Sequence, residues 1–207
     1  MNARTSNRIV EAVIIKALAR TIKDELNIRL VAGGAKPAAE LFIGPYGQEL
    51  LGVLGLESAQ FGQGGKVIIA NKRKTLEKFF SSYDSINESN VALGLLFGYP
   101  RDAVMAWSEM AARGQHDPMF KPMTEGMMLR NMAQARIRDL DVPVLLAYLD
   151  HIPALFDMVS GVVSEPSLDS ARAYKAFVQT RYPWLARKIE RQFRKDLDSE
   201  VRSIFRH

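Results

Sequence analysis

The chain has 207 residues, 47% hydrophobic and 25% charged, a balance that builds one fair-sized globular domain or two small ones. It contains no cysteine, which excludes disulfides, Cys-type zinc sites, thiolate-held iron–sulfur clusters and cysteine nucleophiles. The formal charge of +5 is mildly basic; it suits an anionic ligand or partner without requiring one.

The first predicted element is an amphipathic helix over residues 5–26. Val10, Ile14, Leu18 and Ile22 recur at every fourth position, with Ile15 and Leu26 widening the stripe. Ser6 or Asn7 is the expected cap, a short polar side chain able to accept from the first-turn amides. Glu11, Lys16 and Arg20 punctuate this segment, so no cleavable leader is expected. The longest apolar run, 91–98, is far short of the ~20 residues that span a bilayer. The expectation is a cytoplasmic protein without membrane contact.

Residues 27–31 (NIRLV) alternate like a strand and are stopped by Ala32-Gly33-Gly34. Two apolar runs, 40–43 (ELFI) and 50–56 (LLGVLGL), flank Gly44-Pro45-Tyr46-Gly47 and predict a β-hairpin; Gly52 and Gly55 argue against a helix in the second run. The loop Phe61-Gly62-Gln63-Gly64-Gly65 then leads into 66–70 (KVIIA), the clearest strand. Because these glycines precede a strand instead of opening a helix, they are neither a phosphate loop nor a dinucleotide fingerprint, and they read as a hairpin connection.

A helix is predicted over 75–82, and helices dominate from residue 91 on: 91–97, 102–113, 124–139, 144–149, 170–181 and 184–205. Pro100, Pro118, Pro122, Pro143, Pro153, Pro166 and Pro183 punctuate them. The expected class is α+β in a single domain, 1–207. A small antiparallel or mixed sheet packed by helices occupies 1–90, and 91–207 is mainly helical.

Few residues offer chemistry. His151 beside Asp150 is the best acid–base or metal candidate, since imidazole titrates near neutrality and a carboxylate can orient it. His116 and His207 add no ligand spacing, so a structural role for His151 is favoured and no metal or cofactor is expected. Lys72, Arg73 and Lys74, with Asn71, sit where the KVIIA strand turns into a helix. Free amides and ammonium groups there can hold a phosphate or carboxylate, although solvated basic punctuation is the plainer reading. Met119, Met123, Met127, Met128 and Met132 form an adaptable apolar stretch, read equally well as pocket lining or as core.

The last helix carries a ladder of Leu185, Ile189, Phe193, Leu197, Val201 and Phe205. Arg187, Lys188, Arg191, Arg194 and Lys195 lie on its other faces. A basic amphipathic helix can bind nucleic acid. Against this, Glu190–Arg194 and Asp198–Arg202 have the spacing of favourable pairs, Asp196, Asp198 and Glu200 neutralise the distal half, and no aromatic residue interleaves with the cations. Packing against the domain core is the first reading of this helix, and a homodimer interface the second.

Three segments resemble a prokaryotic family of undescribed function, frequent in archaea. KVIIANKRKTLEKFF is similar to its strand-then-helix entry, LLFGYPRDAV to a "LLGYP-x-Cys-Cys-Val" signature, and YLDHIPALFDMVSGVVSEPSLDSARAYKAF to a "His-x-Pro-Cys…Cys…Ser" stretch. The resemblance covers about residues 66 to 190. Gly98, Tyr99, Pro100, His151 and Pro153 are shared, whereas Asp102 and Ala103 stand where the family has a cysteine pair and Ala154 where it has a cysteine. It therefore implies a preserved scaffold whose thiol site has been dismantled.

The leading expectation is a cytoplasmic binding or interaction protein on that scaffold, engaging a small anionic ligand or a protein partner. The alternative is a metal-independent enzyme acting on a small anionic metabolite. His151 or Asp102 would be its acid–base group, and Tyr99 and Arg101 would be substrate donors, if the two cysteine motifs of the family mark one pocket. Nucleic-acid binding through the last helix is the third expectation.

Overall fold

A computed structural model describes residues 3–61, 64–81, 86–116, 125–140, 144–149 and 163–206. In it the N-terminal apolar stripe forms two helices, α1 (Ala3–Leu18) and α2 (Ile22–Ala32), instead of one. Thr21 causes the break. Its Oγ1 accepts from the Asp24 amide at 3.0 Å, and Asp24 Oδ2 accepts from the Thr21 amide at 2.8 Å, a reciprocal capping box that starts a new helix. Residues 27–31, expected as a strand, are therefore helical. Leu26 through Val31 are all buried, Asn27 and Arg29 included, so this part of α2 has no solvent face and its polar residues alternate with apolar ones as they would in a strand.

The second correction falls on residues 50–56. They belong to α3 (Gly47–Val53) and the turn after it, not to a hairpin strand. Gly55, at φ +69°, takes the left-handed position after the helix; its N–H donates to Gly52 O at 2.9 Å, and Leu56 N–H donates to Leu51 O at 3.0 Å. This pair of bonds satisfies the last carbonyls of α3. Gly34, at φ +74°, ends α2 in the same way. The glycines terminate helices here.

The sheet has three antiparallel strands in the order β1-β3-β2: β1 (Ala38–Phe42), β2 (Glu57–Gln60) and β3 (Lys66–Ala70). The clearest predicted strand, KVIIA, is the central one. Its partner through the glycine loop is the polar edge strand ESAQ, which apolar patterning does not pick out. Ala39 and Leu41 pair with Ile69 and Val67. These side chains join Ile14, Ile15 and Leu18 of α1, Ile28 and Val31 of α2, and Leu51 of α3 in one core cluster. Each fully buried aliphatic side chain contributes about 1.5–3 kcal/mol relative to exposure. The helices α4 (Arg73–Ser81), which packs on β2 and β3, and α5 (Ile86–Leu96) complete the first of two compact units, Met1–Gly98.

The second unit, Tyr99–His207, is helical: α6 (Arg101–His116), α7 (Glu125–Ile137), a 3-10 turn (Val144–Tyr148), α8 (Glu165–Arg181) and α9 (Pro183–Ile204). The α+β class is as expected, with the small antiparallel sheet among helices in the N-terminal half and a mainly helical half after it. Met128, Met132 and Ala133 of α7 pack with Leu146, Leu149, Ala171 of α8 and Leu197 of α9. Met128 and Met132 are thus core, while Met127 is exposed and Met119 and Met123 lie outside the described residues. No helix among the described residues is long and apolar enough to cross a membrane.

Candidate functional site

His151 and Asp150, with the rest of the His-x-Pro segment through Ala154, lie outside the described residues. Arg101 opens α6 and is exposed; Asp102 follows it, half-buried, and Tyr99 is half-buried just before the helix. An acidic residue in a first turn complements the helix dipole. Asp102 Oδ1 is nevertheless enclosed without a hydrogen-bond partner among the described residues, as are the Oγ atoms of Ser164 and Ser167 at the start of α8. Lys72, Arg73 and Lys74 are all exposed at the β3–α4 turn, and Arg73 Nε bonds Glu77 Oε1 at 3.1 Å on the open surface. Such a pair contributes at most a few tenths of a kcal/mol, about 0.3–0.5. Among the described residues no cluster of three or more His, Asp or Glu side chains could hold a metal ion.

The second unit concentrates its charge on α9. The sequence spacing predicts Glu190–Arg194 and Asp198–Arg202 pairs, but the folded chain forms neither. Glu190 Oε1 accepts from the Tyr148 hydroxyl at 3.0 Å and faces Lys175 Nζ at 3.3 Å. Asp198 pairs with Arg136 of α7, and Asp196 accepts from Gln192 at 2.7 Å. Burial, together with the hydrogen bond and negative charge of Glu190, holds the Tyr148 phenol well above its ordinary pKa.

With these acids engaged elsewhere, Arg187, Arg191, Arg194, Lys195, Arg202 and Arg206 are exposed and make no hydrogen bond or ion pair among the described residues. Lys188 is exposed beside them. At ~100° per residue these positions share an arc of roughly 120°, opposite the core-facing Ala186, Ile189, Phe193 and Leu197. Asp198 falls inside the arc, neutralised by Arg136. At its far end Ser199, Arg202, Ser203 and Arg206 line an open hollow of about 550 Å³. The C-terminal dipole opposes an anion there by about 0.3–1 kcal/mol. A charge-assisted Arg–phosphate hydrogen bond contributes about 1.5–3 kcal/mol, so two guanidinium groups outweigh it.

The expected apolar ladder also needs correction at its end. Steps of four residues advance ~400°, so a strict ladder drifts ~40° per step. Leu185, Ile189 and Leu197 are buried and Val201 is half-buried, whereas Phe205 is 73% exposed and has rotated onto the basic face. Trp184, 44% exposed, reaches the same face at the other end. The two rings bracket the cations without interleaving with them, and a helical projection of 184–206 is the signal that finds them.

Compared with family models, with curated proteins and with solved structures, the chain matches none.

Proposed function

We propose that this chain is a binding protein whose partner is a nucleic acid held along α9. One observation carries the reading: Asp198, the acid that falls within the arc of α9 cations, is paired with Arg136, and Glu190 with Lys175 and Tyr148, which leaves a basic face on a helix whose apolar side is already buried. The cations span roughly 30 Å at ~1.5 Å per residue, a length suited to a row of backbone phosphates. An anionic membrane fits less well, because interfacial helices insert an apolar face and that of α9 is occupied by the core of its own unit. Cytoplasmic residence is proposed with it.

Kinship with the cysteine-motif family, with its thiol site dismantled, is proposed on the three sequence segments alone; one equivalent of zinc or iron in protein purified without chelator contradicts the dismantled site. An enzyme acting on an anionic metabolite is the second reading, with the enclosed carboxyl of Asp102 as its acid–base candidate.

The test is anisotropy of a labelled oligonucleotide against added salt. The expected result is binding that weakens at least tenfold between about 50 and 200 mM salt, as release of counterions from several phosphates requires. An Arg191→Glu/Arg194→Glu variant is expected to lose binding and keep its fold. Binding that ignores salt, or a variant that binds like the parent chain, contradicts the proposal, as does equal affinity for polyglutamate.

A further inference from the structure

Given a nucleic acid held along α9 as proposed, the exposed rings on that face bear on the form of the ligand. We infer that the α9 face takes a single strand, whose phosphates follow the guanidinium and ammonium groups while bases stack on Trp184 and Phe205. A scattered exposed aromatic is ordinary on a protein surface. These two share the arc of the cations and stand at its opposite ends, roughly 30 Å apart. In a duplex the base faces are already stacked on one another, so exposed rings gain nothing from them. A single strand presents those faces, and base–aromatic stacking is tolerant of sequence.

The hollow lined by Arg202 and Arg206 lies beside Phe205 in sequence, so one nucleotide can place its phosphate between the guanidinium groups and its base on the ring. The neighbouring arginines also add cation–π attraction to a stacked base. At ~3.4 Å per stacked nucleotide, about nine residues cover the face.

The chain has two tryptophans, so a Trp107→Phe background leaves Trp184 as the reporting indole. It is titrated with a 12-nucleotide oligo-dT, a 12-nucleotide oligo-U and a 12-base-pair duplex at one salt concentration. The expected result is quenching of Trp184 emission by the single strands and affinity at least fivefold tighter than for the duplex. Trp184→Ala and Phe205→Ala are each expected to weaken single-strand binding about fivefold or more, with the salt slope unchanged and Trp184→Tyr largely restoring affinity. Phe205 lies at the exposed end of α9, so its variant reports on stacking without disturbing the core. Equal affinity for duplex and single strands, or ring variants that bind single strands like the parent chain, overturns this inference while leaving salt-dependent binding intact. Absence of binding to all three probes overturns the underlying reading as well.

Discussion

The two units treat charge in opposite ways. In the first, three cations are drawn inward. Arg29 is buried against Glu25 and Glu11, Lys36 is fully buried with Nζ 3.1 Å from Asn27 Oδ1 and 5.8 Å from the Phe97 ring centre, and Lys66 pairs with Glu40 beneath Phe42 and Phe61. In the second, Glu190 and Asp198 are bonded to other elements of the unit and the cations of α9 face solvent. A formal +5 spread over the chain says little about a partner. Which charges are paired inside each unit says far more, because a charge beside its opposite acts only weakly at a distance.

The sharpest way to break this contrast is to remove an inward cation. Lys36→Ala deletes a buried apolar stem and leaves Asn27 Oδ1 without that donor. The expected loss is about 3 kcal/mol of stability in the first unit, read from the urea midpoint. A loss below about 1 kcal/mol, the range of ordinary surface substitutions, contradicts the structural role assigned to Lys36.

Much of this was legible in the sequence, and the failures have physical causes. KVIIA, the helical second half and the stop at Gly33-Gly34 follow from local rules, whereas Gly55 was misread as arguing against a helix over 50–56 when it takes the left-handed position that ends α3. The strand-like reading of 27–31 failed because that part of α2 is buried on every side, and β2 escaped because an edge strand of polar residues needs no apolar pattern. On α9 the four-residue pairing rule named the wrong partners. Asp198 bonds a residue 62 positions away and Glu190 one 42 positions away, and tertiary packing set both choices. The exposure of Phe205 was missed for a subtler reason: a ladder counted in fours drifts off the core face before it reaches that residue.

A smaller effect is expected at the inward acids of the second unit. Tyr148→Phe removes the hydroxyl bonded to Glu190 and is expected to cost about 1–2 kcal/mol. Its pH dependence follows from the raised phenol pKa. Below the ordinary phenol value of 10.0 the contribution is fully present. Above it the unfolded phenol ionises while the folded one resists, so stability falls as pH rises. Urea midpoints between about pH 8 and 11 are expected to fall more steeply in the parent chain than in Tyr148→Phe, the difference between the two isolating this group from other titrating residues. Parallel curves contradict the assignment.

The least effect on stability, and the most direct test of the contrast, is expected from Asp198→Asn. Its pair with Arg136 is about half exposed on both sides, so the fold should lose less than about 1 kcal/mol. The substitution removes the acidic charge within the basic arc and releases Arg136 from its ion pair. If the face binds polyanions, affinity for an oligonucleotide should rise severalfold and its dependence on salt should steepen. If α9 is simply a solvated surface helix, neither quantity should move. The same substitution is then nearly silent in folding and silent in binding, and the outward cations of the second unit would have no more functional meaning than the exposed Lys72 and Lys74 of the first.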